Sequence, residues 1–188
     1  GEPVDAEIVR ALMLLRLRTI CSGKTGVRPE VAELIAGLLN HGITPLVPRF
    51  GSLGCSGDLA PLAHCALALI GEGEVFDAHG ARMPAAQALT TAGLTPVRLC
   101  EKEGLALING TDGMLGTLIL ALHDIETLLD AADITAAASI EALHGTDAVF
   151  APELHAPLRH HPGQALSAEI IRCMLADSPI VASHVDDT

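Results

Sequence analysis

Phe50-Gly-Ser-Leu-Gly-Cys-Ser-Gly-Asp-Leu-Ala-Pro-Leu62 passes from a glycine-punctuated loop into an apolar helix. Pro45, Pro48, Gly51, Gly54 and Gly57 mark residues 42–57 as loop. Asp58 caps or begins a helix that runs to about residue 70, with Pro61 tolerated in its first turn. Three common glycine-rich readings fail here. No Lys follows the glycines, so the stretch is not a P-loop, and the two prolines argue against the strand that a dinucleotide-binding turn needs. A nucleophile elbow, G-x-S-x-G, is missed by one residue, because Asp58 follows Gly57. On composition alone the stretch is a loop leading into a helix cap.

Outward from this stretch, helical periodicity dominates. Residues 5–20 carry Ile8, Leu12 and Leu15 on one face and are apolar on most others, the pattern of a helix inside a bundle. Pro29 opens a second helix to about Asn40, stopped by Gly42. Residues 74–83 predict a small hairpin around His79-Gly80, and 84–92 a short helix. Residues 101–130 form a long periodic segment in which Gly104, Gly110, Gly113 and Gly116 weaken the first half, with a break near Asn109-Gly110. A further helix is expected over 131–143, a loop around Pro152, Pro157, Pro162 and Gly163, and a last helix over 164–176. The expected fold is all-α, a helical bundle with one hairpin near 74–83, and residues 1–188 are expected to contain no internal domain boundary.

Composition bounds the function. The 188 residues include no Tyr, no Trp and three Phe, so the chain supplies no phenol and no indole platform for stacked bases. A formal charge of −12 opposes phosphate-backbone binding and attraction to anionic membranes, and neither nucleic acid nor membrane is expected as a partner. The longest uncharged apolar runs, 59–70 and 113–122, fall short of the ~18 residues of a membrane span. Five Cys without a C-x-x-C pair fit a reducing cytosol rather than a disulfide framework. Nine His lack an H-E-x-x-H arrangement, so no metal is expected and the His are read as loop or surface residues. Cys65 reads as a core residue; Glu101-Lys102-Glu103 reads as a solvated helix start, and Asp124, Glu126 and Asp130 as an exposed face. The apolar helices exceed what one small bundle can bury, which points to other segments or subunits as their cover. The lack of an initiator Met fits a processed chain or a piece of a longer one.

The residue types in the loop support one further chemistry. Gly57 has no Cβ, so its backbone nitrogen is free to attack the carbonyl carbon of Cys55. Loss of water closes a five-membered ring, and elimination of the Ser56 hydroxyl as a second water leaves an exocyclic methylidene. The product, 4-methylidene-imidazol-5-one (MIO), is an electrophile built from the chain itself, with no external cofactor. Cys55 lends only its carbonyl.

Gly51-Ser-Leu-Gly-Cys-Ser-Gly-Asp-Leu-Ala-Pro-Leu-Ala-His64 resembles the signature of the aromatic amino-acid ammonia-lyases, their histidine-specific branch above all. Cys-Ser-Gly in place of the usual Ala-Ser-Gly resembles the actinobacterial variant. Gly26-Val-Arg-Pro-Glu30, Gly71-Glu-Gly-Glu74, Glu101-Lys-Glu-Gly-Leu-Ala-Leu-Ile-Asn-Gly-Thr111 and His161-Pro-Gly-Gln164 are similar to the same family and follow its order. The resemblance implies a cytoplasmic homotetrameric lyase. It would take a small amino acid, histidine first, remove a β-proton with a Tyr base and release ammonia, yielding trans-urocanate. It implies Cys55, Ser56 and Gly57 as MIO precursors and Asn109 as a donor to the MIO carbonyl, with Asp58 and Gly110 in support. A family Tyr-Gly loop, a second Tyr and a carboxylate-binding Arg have no match in this chain, which reads as a central fragment, inactive alone. The alternatives are a phenylalanine or tyrosine ammonia-lyase or aminomutase of the same family, or a non-catalytic helical module.

Overall fold

The computed structural model describes residues 1–155 and 158–183, so Pro157 lies outside the described residues. The chain divides into two compact units, 1–121 and 122–188.

In the first unit, α1 (Ala6–Cys21) and α2 (Pro29–Asn40) pack side by side, and α3 (Leu59–Leu69) packs on α5 (Glu103–Ile108). Between them lie β1 (Thr44–Pro45), β2 (Glu74–Phe76), β3 (Arg82–Pro84) and α4 (Ala85–Thr91). The predicted hairpin is present, with Val75 opposite Met83, but it belongs to a three-stranded antiparallel sheet in the order β1-β2-β3. Thr44 pairs with Phe76 and Pro45 with Val75. Two prolines near β1 hid this strand, which sits at the sheet edge where a missing N–H is tolerated. Asp77 closes the hairpin turn by accepting the His79 and Ala81 N–H groups.

The core of this unit is aliphatic: Val9, Leu12 and Met13 of α1, Val31, Leu34 and Leu38 of α2, Leu62 and Leu69 of α3, Val75, Leu89 and Leu107. Each fully buried Leu or Val contributes roughly 1.5–3 kcal/mol relative to an exposed one. The buried face of α1 runs through Val9, Leu12, Met13, Arg16 and Ile20, rotated from the expected Ile8–Leu12–Leu15 face. The shift has a physical cause. Arg16 is buried because its guanidinium has partners below, so counting apolar residues alone misplaced the stripe.

The expected break at Asn109-Gly110 is real, since α5 ends at Ile108 and α6 spans Asp112–Ala142. The expected boundary at 130/131 is not, because α6 runs unbroken for 31 residues. Its glycines also have a use beyond weakening the helix. A Cβ on Gly116 would lie 3.2 Å from both Ala11 Cβ and Leu12 N, so this glycine lets the α1 and α6 backbones approach closely. By length and composition alone the α5–α6 segment is long and apolar enough to cross a membrane, a feature that uninterrupted apolar runs did not reveal; core helices of soluble proteins meet the same measure.

Within the second unit, a 3-10 turn (Ala148–Phe150), α7 (Pro152–His155), α8 (Pro162–Leu175) and α9 (Pro179–Ala182) follow α6. The prolines of the expected loop start α7 and α8 rather than only interrupting helices. A small core of Ala137, Ile171, Leu175 and Val181 holds them together. His155 corrects the surface reading of the His residues: it is buried, with Nε2 against the Val149 carbonyl and Nδ1 against Gln164. Asp124, Glu126 and Asp130 are exposed, as expected.

Glu103 corrects another reading. It is 1% exposed, not solvated. Its carboxylate accepts from Arg28 Nε and Nη2, both at 2.9 Å, from Arg28 N at 3.0 Å and from Cys100 N at 2.7 Å. Arg28 precedes α2 and Glu103 begins α5, so this pair ties two helix starts together. The Arg28 hydrogen bond holds the Glu103 carboxyl at about 2, below its ordinary 4.5. A depressed carboxylate stabilises the fold above its unfolded value and loses that contribution as pH falls through its folded value. The melting temperature should therefore drop between pH 4.5 and about 2, and Glu103→Gln should flatten that part of the profile, read by circular dichroism.

Candidate active site and its supporting residues

The loop at 51–58 is closed by one side chain. Asp58 sits at the N-terminal boundary of α3 but does not cap its own helix. Its carboxylate turns back instead, accepting Ser52 Oγ–H at 2.6 Å and Leu53 N–H at 2.8 Å. Ser52 Oγ also accepts Gly54 N–H at 3.2 Å. Asp58 is 2% exposed, so these charge-assisted bonds act in a setting that strengthens them. Residues 51–56 are exposed. Cys55, Ser56 and Gly57 thus form the tip of a turn whose base is pinned.

Gly57 has φ +80 and Gly54 φ +65, conformations that L side chains rarely adopt, and a Cβ at either would meet nothing within 4 Å. The triplet is therefore bent by backbone geometry and unobstructed by neighbours. The expected Cys55-Ser56-Gly57 triplet therefore lies at an exposed tip with a left-handed glycine at its end.

A cavity of about 630 Å³ opens beside the loop; Ser52, Asp58, Leu12, Pro61, Gly113 and Met114 contribute to its wall. Asp58 also faces the start of α6, because a Cβ on Gly113 would lie 3.8 Å from its Oδ2. The pinned loop and the break before α6 therefore meet at Asp58.

At that break, Asn109 ends α5 in an extended conformation and is exposed. Its carbonyl accepts from Arg16 Nη1 at 3.2 Å, beside the Ala106 carbonyl at 3.0 Å. Arg16 Nη2 pairs with Asp112, the first residue of α6. Gly110 lies directly beneath, where a Cβ would overlap both the Arg16 guanidinium and the Asp112 carboxylate. No hydrogen bond joins Asn109 to residues 55–57 among the described residues. Sequence reasoning missed Arg16 and Asp112 altogether; the signal available was an Arg inside an otherwise apolar helical face. It placed Cys65 correctly, and burial pushes that thiol up to about 12. All five cysteines are free.

Residues 1–188 match the sequence model of the family described as Aromatic amino acid lyase. The chain belongs to that family. It is 60% identical over 187 residues to the histidine ammonia-lyase of Streptomyces avermitilis, covering 100% of this chain and 36% of that protein. Among solved structures it resembles histidine ammonia-lyase from Trypanosoma cruzi, with TM-score 0.88, 34% identity and coverage of 97% of this chain and 36% of that one. Tyrosine aminomutase from Streptomyces globisporus matches with TM-score 0.88, 42% identity and coverage of 96% and 34%. The chain thus spans about a third of the length of the relatives it matches. The all-α architecture expected from periodicity is that of this family, with a third strand added to the hairpin.

Two substitutions test the supports. Asp58→Ala leaves the Ser52 hydroxyl and Leu53 N–H without their acceptor; it should cost about 1–3 kcal/mol and speed proteolytic cleavage within 51–57. Gly110→Ala forces the buried Arg16–Asp112 pair apart and should cost about 3–5 kcal/mol in urea unfolding.

Proposed function

We propose that this chain is the electrophile-bearing segment of a histidine ammonia-lyase, which converts L-histidine to trans-urocanate and ammonia. The observation that carries the reading is the pinned loop: Asp58 closes its base, and Cys55-Ser56-Gly57 stand at its open, glycine-bent tip. Identity of 60% to a histidine ammonia-lyase favours histidine over the tyrosine of the aminomutase, which shares the fold at 42%.

The residues present fit the formation of an MIO group. Gly57 N bonds to the Cys55 carbonyl carbon, whose oxygen departs as water. The Ser56 Cα proton and hydroxyl depart as the second water. No oxidant is required. Once formed, the group would supply the electrophile for release of ammonia. The Asn109 side-chain amide, exposed on the break before α6, would supply the hydrogen-bond donor for the ring carbonyl. Asp58 holds the base of the loop through Ser52 and Leu53, and the positive N-terminal end of α3 lies immediately after it. The β-proton needs a base; the tyrosine that the family resemblance implies for this role would lie outside these 188 residues, which contain no Tyr.

The exposed apolar residues of α6, among them Leu115, Leu118, Ile119, Leu122, Ile125 and Leu129, support a cover by other segments or subunits, and the homotetramer is proposed from the family resemblance. Five cysteines, an odd number without a C-x-x-C pair, support a cytoplasmic setting.

Intact-mass measurement of the complete reading frame carrying this chain should show the loss of two waters, and Ser56→Ala should restore the unmodified mass and abolish urocanate formation. Asn109→Ala should keep the two-water loss and lower kcat by about 10²–10³-fold. Purified alone, the 188-residue chain should form no urocanate above the Ser56→Ala control. Turnover by that chain, or an unmodified mass in the complete frame, would overturn the reading.

A further inference from the structure

Arg16 is 6% exposed, and its guanidinium is spent on a single feature, the break between α5 and α6. Nη1 donates to the Ala106 and Asn109 carbonyls, which the end of α5 leaves without helical partners. Nη2 meets Asp112 in the first turn of α6. Both placements suit the helix dipoles, a cation at a C-terminal end and an anion at an N-terminal end. Gly110 is reduced to a hydrogen because the pair passes directly over it. One side chain on α1 thereby sets the direction in which the chain leaves α5, and with it the position of the exposed Asn109.

We infer that Arg16 and Asp112 are a positioning pair for Asn109, fixing the backbone from which its amide reaches the reacting ring. The inference rests on the role proposed for Asn109 above. Neither residue touches substrate; each acts through the Asn109 backbone. Lys cannot substitute for Arg16, because an ammonium is a point donor and lacks the planar fork that spans two carbonyls and a carboxylate.

The test is a double-mutant cycle in the complete reading frame, with intact mass, melting temperature, kcat and KM for histidine measured on each variant. Arg16→Lys should retain the two-water mass loss and a KM within about twofold, while kcat falls by about 10–100-fold, the scale of a misplaced group. Added to Asn109→Ala, the same change should lower kcat by less than about twofold, since the group it positions is already gone. Where Arg16→Lys yields no folded protein, Asp112→Asn takes its place in the cycle with the same expectation. A variant with wild-type kcat, or a penalty that multiplies in full with Asn109→Ala, overturns the inference and leaves the lyase reading standing. A parent protein that shows neither the two-water loss nor urocanate formation overturns both.

Discussion

A buried guanidinium under a helix break is the constraint on which the first unit turns. Arg16 lies on the core face of α1, among Val9, Leu12, Met13 and Ile20, where a charge is costly unless it is paired and hydrogen-bonded. The ends of α5 and α6 provide that compensation with two carbonyls and a carboxylate. The dependence is mutual. Without the break, Arg16 has no acceptors; without Arg16, two carbonyls and Asp112 are buried or half-buried with nothing to neutralise them. Loss of one partner from such a pair is far more damaging than replacement of both.

The same economy governs the loop. Asp58 stands at a helix start, where a carboxylate usually caps its own helix, yet it points backward to Ser52 and Leu53. The exchange trades a local cap for closure of a seven-residue turn. Because Asp58 is buried and borders Gly113, the loop base and the start of α6 share one anchor. Three acidic side chains, Asp58, Glu103 and Asp112, are thus buried around this unit, each with its own donors. They account for how a strongly acidic chain places carboxylates inside an aliphatic core.

Much of the helical outline was legible because its signals are local. Pro29 starts α2 at the expected residue, and the pause at Asn109-Gly110 is where the sequence places it. What was not legible depends on partners distant in sequence. Arg28 and Glu103 are 75 positions apart, and Arg16 and Asp112 are 96. A charged residue beside helix-forming neighbours looks solvated until its partner is known, so Glu103 was read as surface and Arg16 was not read at all. The false boundary at 130/131 has the opposite origin: two adjacent periodic segments in phase look alike whether or not a turn divides them.

By itself the sequence determined most of the helical outline, the glycine-bent loop and the order Cys55-Ser56-Gly57, because periodicity and turn chemistry are written in neighbouring residues. Only the tertiary structure decided which groups hold that loop and that break in place. Asp58 turning back onto Ser52, Arg16 passing over Gly110 and the close approach at Gly116 all arise when chain segments meet in space. A buried charge must be met by whatever the fold brings to it, and no local pattern records what that is.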